Sequence, residues 1–354
     1  MKGNRWIQLG LIAAVILLAA VAVAVFAFNR PLGPALDLDD PGTAVAQARP
    51  IATSRPEQEP TEPAQPEAPA PASPGDANVV AAEPSAVCGQ TGQVNLLMLG
   101  QNPQLRLPRG ADGIRLIVID YDAPAIKMLA LPPDLWVKTS RLGGVAAATL
   151  TEAFGLAEES AQSSGQDGVI HPVGVVAQAL LDNFGYSTDK YLTLDQSAFK
   201  QVIDTVGSIE VFVPEAVDGA PDGYGFYEAG FQAMSGQRAL DYVRLLQPAG
   251  QPSDEWARFE RQNQVIKGIQ DEILKPENWD QLPKFVNDFY DLLATNLSPR
   301  ELLNLNCLLD ATGGDVRLFE VSPDMIRAGL DGELIPDETA LRDLIAELTA
   351  EISP

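Results

Sequence analysis

Between residues 29 and 87 the chain has no pattern from which a core could be built, so everything compact must lie after it. The stretch RPEQEPTEPAQPEAPAPASPGDAN, from Arg55 to Asn78, is rich in Pro, Ala and Glu and shows no apolar period. Such a segment cannot offset its ordering entropy by burial. It reads as an extended, partly polyproline-II tether. The opposite extreme precedes it. Lys2 and Arg5 introduce an uncharged apolar run from Trp6 to about Phe28. About 20 apolar residues span a bilayer as a helix, and a signal-peptide core is shorter than this run. The small residues of VFA before Phe28 leave a cleavable signal as the alternative. The basic flank lies on the N-terminal side, with Arg30 alone just after the run. The positive-inside bias therefore predicts residues 1–5 in the cytoplasm and a transmembrane helix over 6–28. A disordered linker over 29–87 and an extracytoplasmic domain over 88–354 follow, with the protein in the cell membrane as a single-pass chain.

From Cys88 onward, apolar runs alternate with helical patterns. VNLLMLG, IRLIVID (Ile114–Asp120) and AIKMLAL (Ala125–Leu131) read as buried strands, the last two separated by the hairpin-length break YDAP. PVGVVAQALLDNFG reads as a helix ending near Gly185. KYLTL is a strand, and DQSAFKQVIDTVG a helix with Asp195 as N-cap and Gly207 as its stop. SIEVFVP is a strand; SGQRALDYVRLL and EWARFERQNQVIKGIQDEIL are helices. NWDQLPKFVNDFYDLLATNL continues the helical pattern. SPRELLNLNCLL opens with Ser298, Pro299 and Glu301 in capping-box order. VRLFEV is a late strand, and DETALRDLIAELTAEI a final helix capped by Asp337. Interleaved strands and helices without a repeat predict the α/β class: a single α-β-α domain with a central mixed sheet covered by helices.

Composition narrows the chemistry. With 24 Lys and Arg against 48 Asp and Glu, the net charge is −24, which disfavours a nucleic-acid partner and a broad polybasic contact with anionic lipid. His171 is the lone histidine, placed before Pro172 at a helix start, and reads as a loop residue. No Walker loop, GxGxxG, GxSxG or HExxH occurs, so no nucleotide cofactor is expected. Cys88 and Cys307 are too sparse for a zinc site. They are buried thiols or one disulfide, and an extracytoplasmic location predicts the Cys88–Cys307 disulfide.

Against that acidity, YVRLLQPAGQPSDEWARFERQNQ (Tyr242–Gln264) gathers Arg244, Arg258 and Arg261. Arg258 and Arg261 share a helix face. Three guanidiniums on one surface suit a phosphate; the competing reading pairs them with Asp241, Asp254, Glu255 and Glu260. Asp112 and Asp134 stand at strand ends, where carboxylates can hold Mg²⁺ against substrate phosphates. Asp112, between RGA and Gly113, equally suits a turn.

Taken in order, NLLMLG, RGADGIRLIVID, LPPDLWV, GYSTDKYLTLDQSAFKQVIDTVGSIEVFVP and GFQAMSGQRALDYVRLL…EWARFERQNQVI resemble the LytR-CpsA-Psr family. The resemblance covers roughly residues 88–275, most strongly from 94. It implies a membrane-anchored phosphotransferase that moves a glycopolymer from a polyprenyl pyrophosphate carrier to a cell-wall acceptor. Carried over by motif, it implies catalytic Asp112 and Arg258 and pyrophosphate binding by Arg244, Arg258, Arg261, Gln262 and Arg109. It also implies a weakened Mg²⁺ site at Asp112 and Asn102. The chain departs from the family pattern in several places. Asn102 stands where an Asp is expected, Gly113 for Thr or Ser, Pro133 and Leu246 for arginines, Thr149 for Lys and Thr151 for Asn. Two functions therefore stay open: an active transferase, or a catalytically weakened relative that binds lipid-linked glycan or scaffolds envelope assembly.

Overall fold

The computed structural model describes residues 29–36, 87–101, 110–142, 144–164, 171–245, 252–273, 275, 293–329 and 333–351. The run Trp6–Phe28 and residues 37–86 lie outside them. Among the described residues no helix is long and apolar enough to cross a membrane.

A six-stranded mixed sheet forms the centre. β1 (Gln93–Gln101), β2 (Ala111–Asp120) and β3 (Ala125–Leu131) make an antiparallel meander. A short ribbon of β4 (Trp136–Lys138) and β5 (Ala147–Thr149) follows. β6 (Lys190–Asp195) runs parallel to β1. β7 (Ile209–Val213) leaves the sheet and pairs with β10 (Gly230–Met234), next to the two-residue pair β8 (Val217–Asp218) and β9 (Phe226–Tyr227). β11 (Leu293–Thr295) borders β6 as one edge, and β12 (Val316–Phe319), parallel to β3, is the other. β13 (Ile326–Ala328) and β14 (Leu334–Pro336) form a last ribbon.

The helices start and stop where local chemistry directs. α1 (Leu150–Ser164) opens on Thr149, whose hydroxyl accepts from the Glu152 N–H at 3.2 Å while the Glu152 carboxylate accepts from the Thr149 N–H at 3.0 Å. α2 (Pro172–Phe184) begins with Pro at its first turn and ends at Gly185, whose φ of 78° lies in the left-handed region. Asp195 caps α3 (Gln196–Thr205) by accepting from the Ala198 N–H at 2.7 Å. α4 (Gly236–Arg244) starts beside α3 so closely that a Cβ on Gly236 would lie 2.2 Å from the Lys200 carbonyl. α5 (Pro252–Ile273) follows. α6 (Pro299–Ala311) carries the expected capping box of Ser298 and Glu301, and Asp337 caps α7 (Glu338–Thr349).

Strand alternation sends β2 side chains to two faces. Ile114, Leu116 and Val118 join Leu97, Leu99, Leu129 and Leu131 beneath α1, α2 and α7. Ile117 and Ile119 join Leu96 and Met128 on the opposite face, against Leu308 of α6 and Ile266 of α5. A separate core of Ile203, Ile209, Val211, Met234, Tyr242 and Val265 joins β7 and β10 to α3, α4 and α5. Cys88 and Cys307 form a disulfide with a Cα–Cα distance of 5.7 Å, fastening α6 to the entry of β1.

Two sequence expectations need correcting. The disordered linker was expected to begin at residue 29, but Asn29–Leu36 packs on the domain. The Leu32 N–H donates to the Leu297 carbonyl at 3.1 Å, Arg300 Nη1 donates to Asn29 Oδ1 at 3.2 Å, and Leu36 rests on the first core. The physical reason is the apolar pair Leu32 and Leu36, spaced to reach the rim of the sheet, with Gly33 allowing close approach to the Thr295 carbonyl. The second correction concerns the helical pattern expected through DLLATNL. Its described end, Leu293–Thr295, is an edge strand, because the unpaired side of β6 offers a backbone partner that local propensity cannot register.

Candidate functional site

The end of β1, the start of β2 and the end of β3 meet at one rim of the sheet. Gly100 pairs with Gly113, but Gln101 pairs with Ala111, so Asp112 is the extra residue of a β-bulge. Bulges re-aim side chains and recur beside active sites. Asp112 is thus part of a strand, not of a turn, and is half-buried. Asp134 lies just past β3. The Pro133 carbonyl accepts from the Thr151 N–H at 2.9 Å, and the Leu135 carbonyl from the Leu150 N–H at 3.0 Å, so the first turn of α1 is bound to this loop. Gly110 lets the entry of β2 approach the same turn, since a Cβ there would lie 1.9 Å from Thr151 Oγ1.

The Asp134 carboxyl is pushed above its ordinary range. Burial is the largest cause; the Arg258 guanidinium opposes it, and the Glu152 carboxylate adds to it. Glu152 therefore brings negative charge to the rim, and Thr149, where the family pattern has a lysine, serves as a helix cap.

α5 crosses above the other face. Arg258, Gln262 and Ile266 recur every four residues and so share one face of the helix. Ile266 packs in the core with Ile117, and Gln262 Oε1 accepts from Arg115 Nη2 at 3.1 Å. In β2, Ile117, Arg115 and Gly113 succeed one another on that same face. The shared register carries Arg258 one helical turn, about 5.4 Å, beyond Gln262, toward the Gly100–Gly113 end.

The arginine window consequently divides. Arg258 reaches the rim. Arg261 is buried, 4% exposed, and donates through Nη2 to the Leu245 carbonyl at the end of α4. Arg244 is half-buried in the last turn of α4. The Tyr242 hydroxyl donates to Gln264 Oε1 at 2.6 Å, a second tie between α4 and α5. Asn102, Arg109 and Leu246 lie outside the described residues. Glu152 was not among the sequence candidates and carried no motif. Arg115, a charge inside the apolar run IRLIVID, reads from sequence as a compensating cation or, more simply, as a paired or edge-facing strand residue; it lies on a central strand and is only 3% exposed.

Among the described residues, no group of three His, Cys, Asp or Glu is placed to hold a metal ion. Of the expected Mg²⁺ pair, Asp112 stands at the bulge and Asn102 lies outside the described residues, and no step below passes through a metal ion.

Known proteins place this geometry. Over 199 residues the chain is 25% identical to the polyisoprenyl-teichoic acid–peptidoglycan teichoic acid transferase TagV of Bacillus subtilis, covering 55% of this chain and 47% of that protein. It is 25% identical to the transferase TagU of Bacillus licheniformis over 246 residues, 69% of this chain and 72% of the relative. The chain thus spans about half the length of the first and nearly three quarters of the second. The crystal structure of Bacillus subtilis TagV superposes with a TM-score of 0.57 at 20% identity, over 75% of this chain and all of that one, and shares the fold. The sequence profile of the LytR_cpsA_psr family matches residues 58–334, more than three quarters of the chain, and the chain belongs to that family.

Proposed function

We propose that this protein attaches a polyprenyl-(pyro)phosphate-linked glycopolymer to the cell wall. One observation carries the reading: within this family, Asp112 at its bulge and Arg258 on α5 are brought to the same strand ends. In the proposed step an acceptor hydroxyl attacks the phosphorus that bears the glycan. Its proton passes to the Asp112 carboxylate, a new P–O bond forms, and the polyprenyl phosphate leaves with the electrons of the broken P–O bond. Arg258 stabilises the charge that develops on the phosphoryl oxygens; Arg244, Gln262 and, from the family motif alone, Arg109 complete the head-group environment, while Arg261 acts through its tie between α5 and the end of α4. The prenyl tail adds about 0.8 kcal/mol per buried CH₂ to carrier affinity.

We further propose that turnover is weak and depends little on Mg²⁺. The lysine position has become the α1 cap Thr149, and Glu152 adds a carboxylate where anions must enter. The test is head-group release from a synthetic polyprenyl pyrophosphate carrier, with and without Mg²⁺. Arg258→Ala should lower release by roughly 10- to 100-fold, the worth of one charge-assisted bond. Thr149→Lys with Glu152→Ala should raise it. Fast, Mg²⁺-dependent release by the unaltered protein would remove the weakened-site reading and leave an ordinary transferase. If no release occurs in any variant, a carrier-binding scaffold is left.

The same proposal places the run 6–28 across the membrane with the domain outside. Asn29, directly after that run, already touches Arg300 of α6. The domain is therefore held close to the bilayer and not suspended on a long tether. A reporter fused at the C-terminus should be active only outside the cytoplasm.

A further inference from the structure

Arg115 is harder to explain as a structural residue than as a binding one. It points from the middle of β2 to the face shared by Met98 and Ile117, and it is 3% exposed. A guanidinium has five N–H donors. The donor contact here is Nη2 to Gln262, while Nη1 is buried without a partner. No described carboxylate pairs with it, and burial alone lowers its pKa to about 10. A buried cation left this way is costly, and Met or Leu would fill the position with better packing.

The space beside it is also unusual. Gly113 and Gly100 oppose each other one step along the same face. A Cβ on Gly113 would meet, among the described residues, only Gly100 backbone atoms at 3.9 Å. Among the described residues, the face thus carries no side chain at this step, next to the unfilled Nη1 and on the side of α5 that carries Arg258. Among the described residues, two cations thus flank a strand end that carries no side chain on this face, in a protein of net charge −24. Two of the family's rim arginine positions, meanwhile, are Pro133 and Leu246.

We propose that Arg115 is an anion-binding residue of this site, donating from Nη1 to a phosphate oxygen of the carrier head group lodged over the Gly100–Gly113 pair. Arg115 approaches the phosphate from the sheet, Arg258 from the helix, and Gln262 holds the Arg115 fork in place. This rests on the pyrophosphate-carrier reading above and assigns a cation that the family motif did not supply.

The test compares the full chain in detergent with its Arg115→Met and Arg115→Lys variants. The probes are inorganic pyrophosphate, farnesyl pyrophosphate and farnesol, with melting temperature and affinity both measured. Without probe, Arg115→Met should melt above the unaltered protein, because an unpaired buried charge is gone. It should bind both pyrophosphates roughly 10- to 100-fold more weakly, with farnesol unaffected. Arg115→Lys keeps the charge without the fork and should fall between. A lower melting temperature together with unchanged pyrophosphate affinity in either variant would make Arg115 a structural tie for α5 and overturn the assignment alone. Should Arg115→Met fold too poorly to assay, Arg115→Lys decides by the same criterion. Failure of the unaltered protein to bind either pyrophosphate would overturn both this assignment and the carrier reading. Binding of inorganic pyrophosphate but not the prenyl form would keep Arg115 as an anion site and remove the lipid carrier.

Discussion

Each face of the central sheet buries one cation from the meander, and the two are treated differently. On the face beneath α7, Lys127 of β3 is 4% exposed, and its Nζ donates to the carbonyls of Leu348 and Ala350 at 3.2 and 2.6 Å. Those carbonyls close the C-terminus of α7, where a positive charge is favoured. On the other face, Arg115 is equally buried, yet its described polar partner is one glutamine. The rest of the surroundings sharpens the contrast. The first face is an unbroken apolar core of Leu97, Leu99, Leu116 and Leu129 under three helices. The second ends at Gly100 and Gly113, where the described residues place no side chain. One face is packed for stability; on the other, the proposed anion site would give up stability for room and charge.

The largest expected effect tests what holds the second face closed. The Cys88–Cys307 bridge spans 219 residues of chain and fastens α6 over Leu308 and Ile117. Replacing both cysteines by serine should cost about 2–5 kcal/mol. Hydrogen exchange should loosen α6 and β1 first while α2 and α7 stay protected. Equal loosening of both faces would show that they are one cooperative unit. Next in size, Lys127→Met should destabilise by about 1–3 kcal/mol, because the α7 carbonyls lose a buried partner. Its sign is opposite to that expected for Arg115→Met, and matching signs in denaturant melts would erase the comparison. Ser298→Ala removes the α6 cap and should cost about 1 kcal/mol. The same melts should show it without altering pyrophosphate affinity, since α6 covers the second face but does not reach the rim.

The smallest effect concerns pH. Asp134 has a raised pKa in the folded protein, so its protonated form is the one the fold prefers. Its stabilising contribution is fully present below about pH 3.9, the value of an unperturbed Asp, and is lost as pH rises through the raised value. Asp134→Asn should therefore melt above the unaltered protein at neutral pH. The two curves should converge in acid. A gap that is constant with pH would mean that Asp134 is not held by burial and Glu152.

Much of the scaffold was legible in advance, for reasons that are local. The meander followed from apolar runs of strand length with a short break at YDAP. The capping box at Ser298, the Asp195 and Asp337 caps and the left-handed Gly185 are each specified within four residues of chain. Long-range pairing was not legible. LATNL looked helical until β6 offered it an edge, and SIEVFVP read as a strand without revealing that it belongs to a ribbon with β10 outside the main sheet. The candidate site was half legible. Motif order nominated Arg258, Gln262 and Asp112. Glu152 was missed because a capping glutamate carries no motif, and Arg115 was ranked low because a lone charge in a strand has an ordinary explanation until its partners are known.

By itself, the sequence determined where a core can form, which segments are strands or helices, and that the chain carries a family's ordered motifs. These depend on composition and on periods of two and 3.6 residues, which neighbours along the chain impose. Only the tertiary structure decided that Asn29–Leu36 packs on the domain, that Asp112 occupies a bulge, and that Arg115 lies under Gln262 with no described carboxylate beside it. Those outcomes depend on the register between β1 and β2 and on the placement of α5 over the sheet. Helix placement is set by contacts between residues more than a hundred positions apart, such as Arg115 and Gln262, and the register by pairs up to 27 positions apart across the β1–β2 hairpin; no local pattern encodes either.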